Sequence, residues 1–349
     1  MKLLIVTQKV NIDDPILGFF HRWIEEFSKK FEKVTVICLE KGKYELPKNV
    51  KVLSLGKEQY SQHSNVIRRL VFSFKFYKYI WQERENYDSV FVHMNQEYVL
   101  LAGICWRLMG KKVFLWRNHP VGDWKTDLAC FLSHKVFHTS PQAFVEHCRN
   151  AELMPVGIDL DNFRPSAMPV ESNNILVLGR IAPVKRLEYI IDGLGRLHKK
   201  RVAFKADIVG DALEADAEYY DSLKARIKLN GLGRKVRLLP AISHEEAPEL
   251  YRQYKVFINL TPDGSLDKTI FEALASGLKT VVGNTFFKGK LPDGWIVENP
   301  EDADHLAHVI KFALNDSHSR NTEGQNRISV LLKENGIKDL IHKMLGYFE

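Results

Sequence analysis

No stretch of this sequence is apolar for long enough to cross a membrane, and its start, Met1-Lys2 running into Leu3-Leu4-Ile5-Val6, is too short and wrongly flanked for a secretory signal. The expectation is a chain made and kept in the cytoplasm, with a peripheral place at the inner face of a membrane as the further option. Cysteine is scarce. Cys38, Cys105, Cys130 and Cys148 lie far apart without CxxC spacing, which argues against a zinc site or a disulfide framework and for buried free thiols. Low-complexity tracts and internal repeats are also missing, so disordered and solenoid architectures are excluded.

What is present is a globular composition, 45% apolar and 27% charged over 349 residues, long enough for two α/β domains that each bury a core. The net charge of +7 is uneven. Residues 1–155 hold 23 of the 50 Lys and Arg but 16 of the 43 Asp and Glu, which leaves 27 of each for the remainder. A basic first half beside a neutral second half points to an anionic partner for the first: a membrane surface, a phosphorylated lipid or an acidic polymer. Nucleic acid is not expected, because no basic-aromatic binding motif accompanies the charge.

Short apolar runs alternate with segments of helical period, the pattern of a parallel sheet wrapped by helices, and the pattern occurs twice. In the first half the runs predict strands over 2–7, 34–38, 50–53, 89–93, 112–116 and 135–138, with helices over 18–31, 65–83, 97–109 and 142–149. Turn formers break the pattern around 151–170 and predict a linker. The second half predicts strands over 174–178, 204–209, 236–239, 256–260, 280–282 and 294–297, and helices over 186–199, 217–230, 245–254 and 269–276. The reading is an α/β protein of two doubly wound, Rossmann-like domains, 1–155 and 156–335, facing across a cleft. A last helix within 336–349 is expected to pack back on the first domain.

Two segments look chemical. Leu178-Gly179-Arg180-Ile181-Ala182-Pro183-Val184-Lys185-Arg186 joins a strand end to a helix start through a glycine and several cations. Helix-start amides together with Arg180 and Lys185 could hold a diphosphate and stabilise it as a leaving group, with Gly179 turning the backbone sharply. The other reading is a solvated basic turn. Further on, Asn259-Leu260-Thr261-Pro262-Asp263-Gly264-Ser265-Leu266-Asp267-Lys268-Thr269 leads into a helix that carries Glu272. Gly264 and Ser265 offer backbone amides, Lys268 and Thr269 stand at the helix start, and Glu272 could accept hydrogen bonds from ribose hydroxyls. Alternatively, Glu272 is an ordinary first-turn acid that favours the helix dipole.

These residues resemble glycosyltransferase family 4, the retaining transferases of GT-B fold. Pro155-Val156-Gly157-Ile158-Asp159 with Phe163 and Pro165 is similar to that family's linker, Gly179-Arg180 with Lys185 to its diphosphate clamp, and the loop through Glu272-Ala273-Leu274-Ala275-Ser276-Gly277 to its donor motif. Val209-Gly210-Asp211 is a weaker match. The resemblance implies a retaining transferase that moves a sugar from a nucleotide diphosphate donor, held by the second domain, to a glycan or lipid-linked acceptor bound by the first. Donor contacts fall to Gly18, Gly179, Arg180, Lys185, Asp267, Lys268, Thr269 and Glu272, with His119 and Glu272 in catalytic roles and His93, Asp263 and Gly264 as further cleft residues. In the family an acid commonly stands eight residues before Glu272; here that position is Gly264, and Asp263 or Asp267 could substitute. No Asp-x-Asp dyad of the metal-dependent transferases stands out, so no metal and no cofactor are expected. A nucleotide-sugar epimerase or sugar-phosphate synthase on the same fold, and a non-catalytic sugar-nucleotide binder, remain as alternatives.

One segment stands apart. Residues 65–81 place Ile67, Leu70, Val71, Phe74, Tyr77 and Trp81 near one helical face, with Arg68, Arg69, Lys75 and Lys78 around it. Such a helix either packs that face on the first sheet or lies on an anionic membrane.

Overall fold

The computed structural model describes residues 1–60, 65–167, 170, 172–264, 266–315 and 322–348; Ser265 lies outside them. The chain divides into two compact units, Met1–Gly157 with Ile337–Glu349, and Ile158–Gly336.

In the first unit the strands are β1 (Lys2–Val10), β2 (Lys33–Lys41), β3 (Val50–Ser54), β4 (Ser89–His93), β5 (Lys112–Trp116), β6 (Lys135–His138) and β7 (Ala151–Leu153). They form one parallel sheet in the order β3-β2-β1-β4-β5-β6-β7. Such sheets are covered on both faces, which is why β1 is apolar from Leu3 to Val6 rather than alternating. Leu3 and Ile5 enter a core with α1 (Phe19–Ser28) and α11 (Ile337–Phe348). Leu4 and Val6 point the other way, into a core with α2 (Asn65–Gln82), α3 (Glu97–Leu108) and α4 (Trp124–Leu132). The last helix therefore belongs to the first unit's core: the Phe348 ring meets Phe114 edge-on at 4.6 Å.

The second unit repeats the plan with β8 (Asn174–Leu178), β9 (Lys205–Val209), β10 (Val236–Leu239), β11 (Val256–Asn259) and β12 (Lys279–Val282), all parallel, in the order β10-β9-β8-β11-β12. Its helices are α5 (Leu187–Lys199), α6 (Ala217–Leu229), α7 (Ala247–Tyr251), α8 (Lys268–Ala275), α9 (Ala303–Asn315) and α10 (Thr322–Glu334). Gly193 lets α5 approach α9 closely, since a Cβ there would stand 2.8 Å from Leu306.

Several expectations need correction. The segment 142–149 forms only a short 3-10 turn at Phe144–His147, and residues 151–153, placed in the linker, form edge strand β7. Residues 294–297 are not a strand: a 3-10 turn at Asp293–Trp295 leads to a single bridge between Ile296 and Val282. The periodicity did not show α4, α9 or α10. Two of the thiols, Cys105 and Cys148, are not buried. On α2 the sheet-facing residues are Phe76 and Ile80, while Ile67, Leu70, Phe74, Tyr77 and Trp81 face outward. No helix among the described residues is long and apolar enough to cross a membrane.

Candidate functional site

In the second sheet the strand order reverses between β8 and β11. Ligands of open α/β sheets bind outside the carboxyl ends of the strands at such a point. The chain leaves β8 through Gly179, whose φ of +142° and amide bond to the Val209 carbonyl (3.1 Å) swing it over the end of β9. A Cβ at Gly210 (φ +156°) would lie 2.0 Å from the Gly179 carbonyl oxygen, so the crossing needs a glycine at 210. Ile181 then donates to the Asp211 carbonyl at 2.9 Å and fixes the start of the basic segment.

Pro183–Lys185 make one 3-10 turn, Arg186 is left-handed at φ +53°, and α5 begins at Leu187. The Leu187 amide already donates to the Tyr219 hydroxyl at 3.0 Å, and that hydroxyl donates to Glu188 in the first turn. The expected set of open amides is thus reduced at this helix start, and an acid already sits on its dipole. Positive charge for an anion falls instead to side chains. Arg180 is exposed and makes no hydrogen bond or ion pair among the described residues. The Lys185 side chain passes over Gly179, its Cε 3.9 Å from where a Cβ would stand.

The Lys185 ammonium is paired with Asp267 and lies 3.3 Å from the Thr261 hydroxyl. Asn259, the last residue of β11, holds the other side of this pair: its Nδ2 donates to Asp267 at 2.8 Å and to the Thr269 hydroxyl at 3.3 Å, while its Oδ1 accepts the Thr261 amide at 2.9 Å. Burial pushes the Asp267 carboxyl up, but the Lys185 charge and these hydrogen bonds hold it below the usual Asp range. Asp267 stands at the N-cap of α8 yet makes no cap bond, because its carboxylate is committed to Lys185 and Asn259. Gly179, Lys185, Asp267 and Thr269 are therefore one cluster at the switch point. Asn259 and Thr261 join them; both stand in the polar segment singled out from the sequence but were given no role there, although an Asn closing a strand next to a polar loop was a usable signal.

One turn along α8, Glu272 is buried at 4% exposure, which removes the first-turn-acid reading. His244 Nε2 lies 3.1 Å from its Oε1, and the Tyr251 hydroxyl donates to its Oε2 at 3.2 Å. A carboxylate has about four acceptor sites, so each oxygen keeps capacity for a further donor. Lys268, four residues before Glu272, is pushed down to about 7 by burial, opposed in part by the Glu272 charge.

The loop between β11 and α8 shows why an acid is absent at 264. Gly264 is buried with φ +103°, a conformation that disfavours any side chain. Asp263 is exposed and tied down, accepting from the Thr285 amide (2.7 Å) and hydroxyl (2.6 Å). Both acids considered as substitutes are thus held by protein partners, Asp263 by Thr285 and Asp267 by Lys185.

In the first unit the three named residues are placed differently. Gly18 has an ordinary helical φ of −56° at the N-cap of α1, so nothing in its backbone demands glycine. His93 ends β4 at 1% exposure, stacked on Phe20 at 3.8 Å with Nδ1 3.3 Å from the Thr7 hydroxyl, which is the placement of a core histidine. His119 is exposed after β5, its Nδ1 2.8 Å from the Val121 carbonyl oxygen and 3.0 Å from the Val121 amide. Local bonding thus occupies Nδ1 and leaves Nε2 to solvent or ligand, as acceptor or donor according to the tautomer.

Two Asp-x-Asp triplets do occur, and both serve turns. Asp159 accepts from the Asp161 amide and the Asn162 side chain, and Asp302 accepts the Asp304 and His305 amides at the start of α9. Asp127, His147 and Cys148 bring ligand-type atoms within 4.8 Å of one another on the surface of the first unit. A shallow basic depression lined by His198, Lys224, Lys228 and Arg234 lies beside the start of β10, at the amino ends of the strands and away from the switch point.

Residues 160–329, which carry this cluster, match the family described as "Glycosyl transferases group 1". Among curated proteins, the chain is 25% identical over 175 residues to the UDP-N-acetylglucosamine–peptide N-acetylglucosaminyltransferase GtfA subunit of Streptococcus pneumoniae, covering 49% of this chain and 33% of that protein. It is 27% identical over 147 residues to the mannosylfructose-phosphate synthase of Agrobacterium fabrum, covering 38% and 32%. The chain spans about a third of the length of these relatives. Among solved structures, Anabaena HepE in complex with UDP superposes with a TM-score of 0.75 at 17% identity over 99% of this chain and 100% of that one. Sucrose-phosphate synthase from Thermosynechococcus elongatus gives 0.77 at 14% identity over 100% and 98%. The fold is that of the GT-B glycosyltransferases, two units each built on a parallel sheet.

Proposed function

We propose that the protein is a retaining glycosyltransferase of family 4 that takes a sugar from a nucleoside diphosphate donor. The observation that carries the reading is the cluster at the β8–β11 switch point, where Arg180, unpaired among the described residues, and a Lys185 held by Asp267 flank Gly179 within the segment matching the transferase family. In this reading the two cations neutralise the diphosphate as its bond to the anomeric carbon breaks, with the bonding pair leaving on the phosphate oxygen. The acceptor hydroxyl oxygen bonds to the same carbon on the same face, its O–H bond breaking as the proton passes to the departing phosphate oxygen. Lys185 exchanges Asp267 for phosphate oxygens, Glu272 accepts from ribose hydroxyls, and His119 Nε2 is assigned to the transferred sugar. Binding orientation and electrostatics supply the rate, with no protein nucleophile and no metal required.

The second unit is assigned to the donor and the first to the acceptor, a glycan or lipid-linked glycan. A sugar-phosphate acceptor is the second reading, favoured by the match to mannosylfructose-phosphate synthase. Calorimetric titration with UDP, GDP and ADP in the presence of EDTA, beside an Arg180→Ala/Lys185→Ala variant, tests the donor site. Selective binding lost in the variant supports it; absence of binding to all three sinks the assignment.

A further inference from the structure

The first unit carries an apolar surface that its own fold leaves uncovered. On α2, Ile67, Leu70, Phe74, Tyr77 and Trp81 recur at helical spacing and each is at least 40% exposed. On α3, Leu101, Ile104 and Leu108 do the same at 42–83%, and on α4, Trp124, Leu128 and Phe131 at 41–76%. Each helix has thus a second apolar stripe, opposite the one it buries: Phe76 and Ile80 on α2, Val99, Ala102 and Trp106 on α3, and Ala129 and Leu132 on α4 enter the core.

The three stripes adjoin. The Tyr77 hydroxyl donates to the Leu101 carbonyl at 2.8 Å, and Arg107 donates to the Phe131 carbonyl at 3.1 Å. Eleven large side chains at this exposure present on the order of 1,000 Å², well above the few hundred that soluble monomers usually show.

The charge around the patch is predominantly positive: α3 and α4 each balance one acid, Glu97 and Asp127, with one cation, Arg107 and Lys125, and the excess comes from α2. α2 carries Arg68, Arg69, Lys75 and Lys78 and no acid. Cations also lie against the aromatic edge, with the Arg84 guanidinium, which also pairs with Glu85, 4.8 Å from the Trp81 ring and the Lys125 ammonium 5.8 Å from Trp124. Tryptophan and tyrosine beside Lys and Arg, around a field of Leu, Ile and Phe, match the boundary of a lipid bilayer, where rings sit at headgroup level and cations meet phosphates. No described helix is fit to span a membrane, so the contact is peripheral. We infer that the outer face of α2, α3 and α4 docks the protein on an anionic bilayer. The docking face belongs to the first unit alone, so its test is independent of nucleotide binding by the second.

The test is co-sedimentation of the full chain with vesicles of phosphatidylcholine alone and of phosphatidylcholine with about a third phosphatidylglycerol. The expected result is binding to the anionic vesicles that weakens with salt. It falls on the order of tenfold in Lys78→Glu/Lys125→Glu and in Phe74→Ser/Phe131→Ser, for two lost cations or two lost anchors. All four residues are exposed, so unchanged thermal melting keeps the result interpretable. The exposed Cys105 lies inside the patch, beside Ile104, and provides a reporter: a polarity-sensitive label there in a Cys148→Ser background blue-shifts on vesicle binding. Equal binding to neutral vesicles, no binding to either, or a concentration-dependent dimer abolished by Phe74→Ser/Phe131→Ser would each overturn the inference, the last marking the face as a contact between two copies.

Discussion

At the scale of single residues, Arg180 and Lys185 differ in what they do without ligand, and that difference is measurable. Arg180 is exposed and unpaired among the described residues, so Arg180→Ala should leave thermal stability unchanged while lowering nucleoside diphosphate affinity by roughly 10–100-fold, the range for a charge-assisted bond to phosphate. Lys185→Ala should lower affinity and also cost about 1–3 kcal/mol of stability, because Asp267 is left as an unpaired, largely buried charge. Lys268 gives a pH prediction. Its folded pKa, near 7, lies below that of the unfolded chain, so between about pH 7 and pH 10 the unfolded state binds more protons and stability rises with pH. A diphosphate bound near it raises that pKa, so titration at pH 8 in buffers of different ionisation enthalpy should show proton uptake, absent in Lys268→Met. These residue types were legible in the sequence as a basic turn and a polar loop. Their pairing was not, because Lys185 and Asp267 lie 82 positions apart and meet only when β8 and β11 become neighbours.

At the scale of elements, the site depends on two loops whose backbones admit only glycine at one point each. Gly210→Ala drives a Cβ into the Gly179 carbonyl oxygen, so the β8 loop must move; nucleotide affinity should fall as far as in the Lys185 variant, and melting should shift down. Gly264→Glu, which restores the acid the resemblance expects, should cost about 1–3 kcal/mol for a left-handed residue and fail to raise activity, as read by urea unfolding and donor turnover. Strands were easy to read because both faces of a parallel sheet are buried and the runs are continuously apolar. Helix α4 escaped because Pro120 and Gly122 precede a segment of nine residues, too short for a clear period. Its capping box, Asp123 with Thr126, was the signal available. The segment 294–297 misled in the opposite sense: Trp295, Ile296 and Val297 are apolar because they are buried, and burial alone does not make a strand.

At the scale of the whole molecule, the chain is two units with separate cores, and the last helix completes the first of them. Phe348→Ala removes a ring packed against Phe27, Phe31 and Phe114 and should destabilise the first unit by about 3–5 kcal/mol, while nucleotide binding by the second persists in the same melt. By itself the sequence determined the duplicated α/β plan, since that follows from periodicity and from where turn residues fall. It also marked the basic turn after Leu178 and the polar loop before α8, because glycine and clustered cations are local signals. Only the tertiary structure decided which strand ends meet, that Glu272 is buried between His244 and Tyr251, and that His93 belongs to an aromatic core. It also decided which of two apolar stripes on α2 faces the sheet. Helical spacing is identical for a buried face and an exposed one, so the pattern of residues is silent on that choice and only packing against β1 and its neighbours makes it.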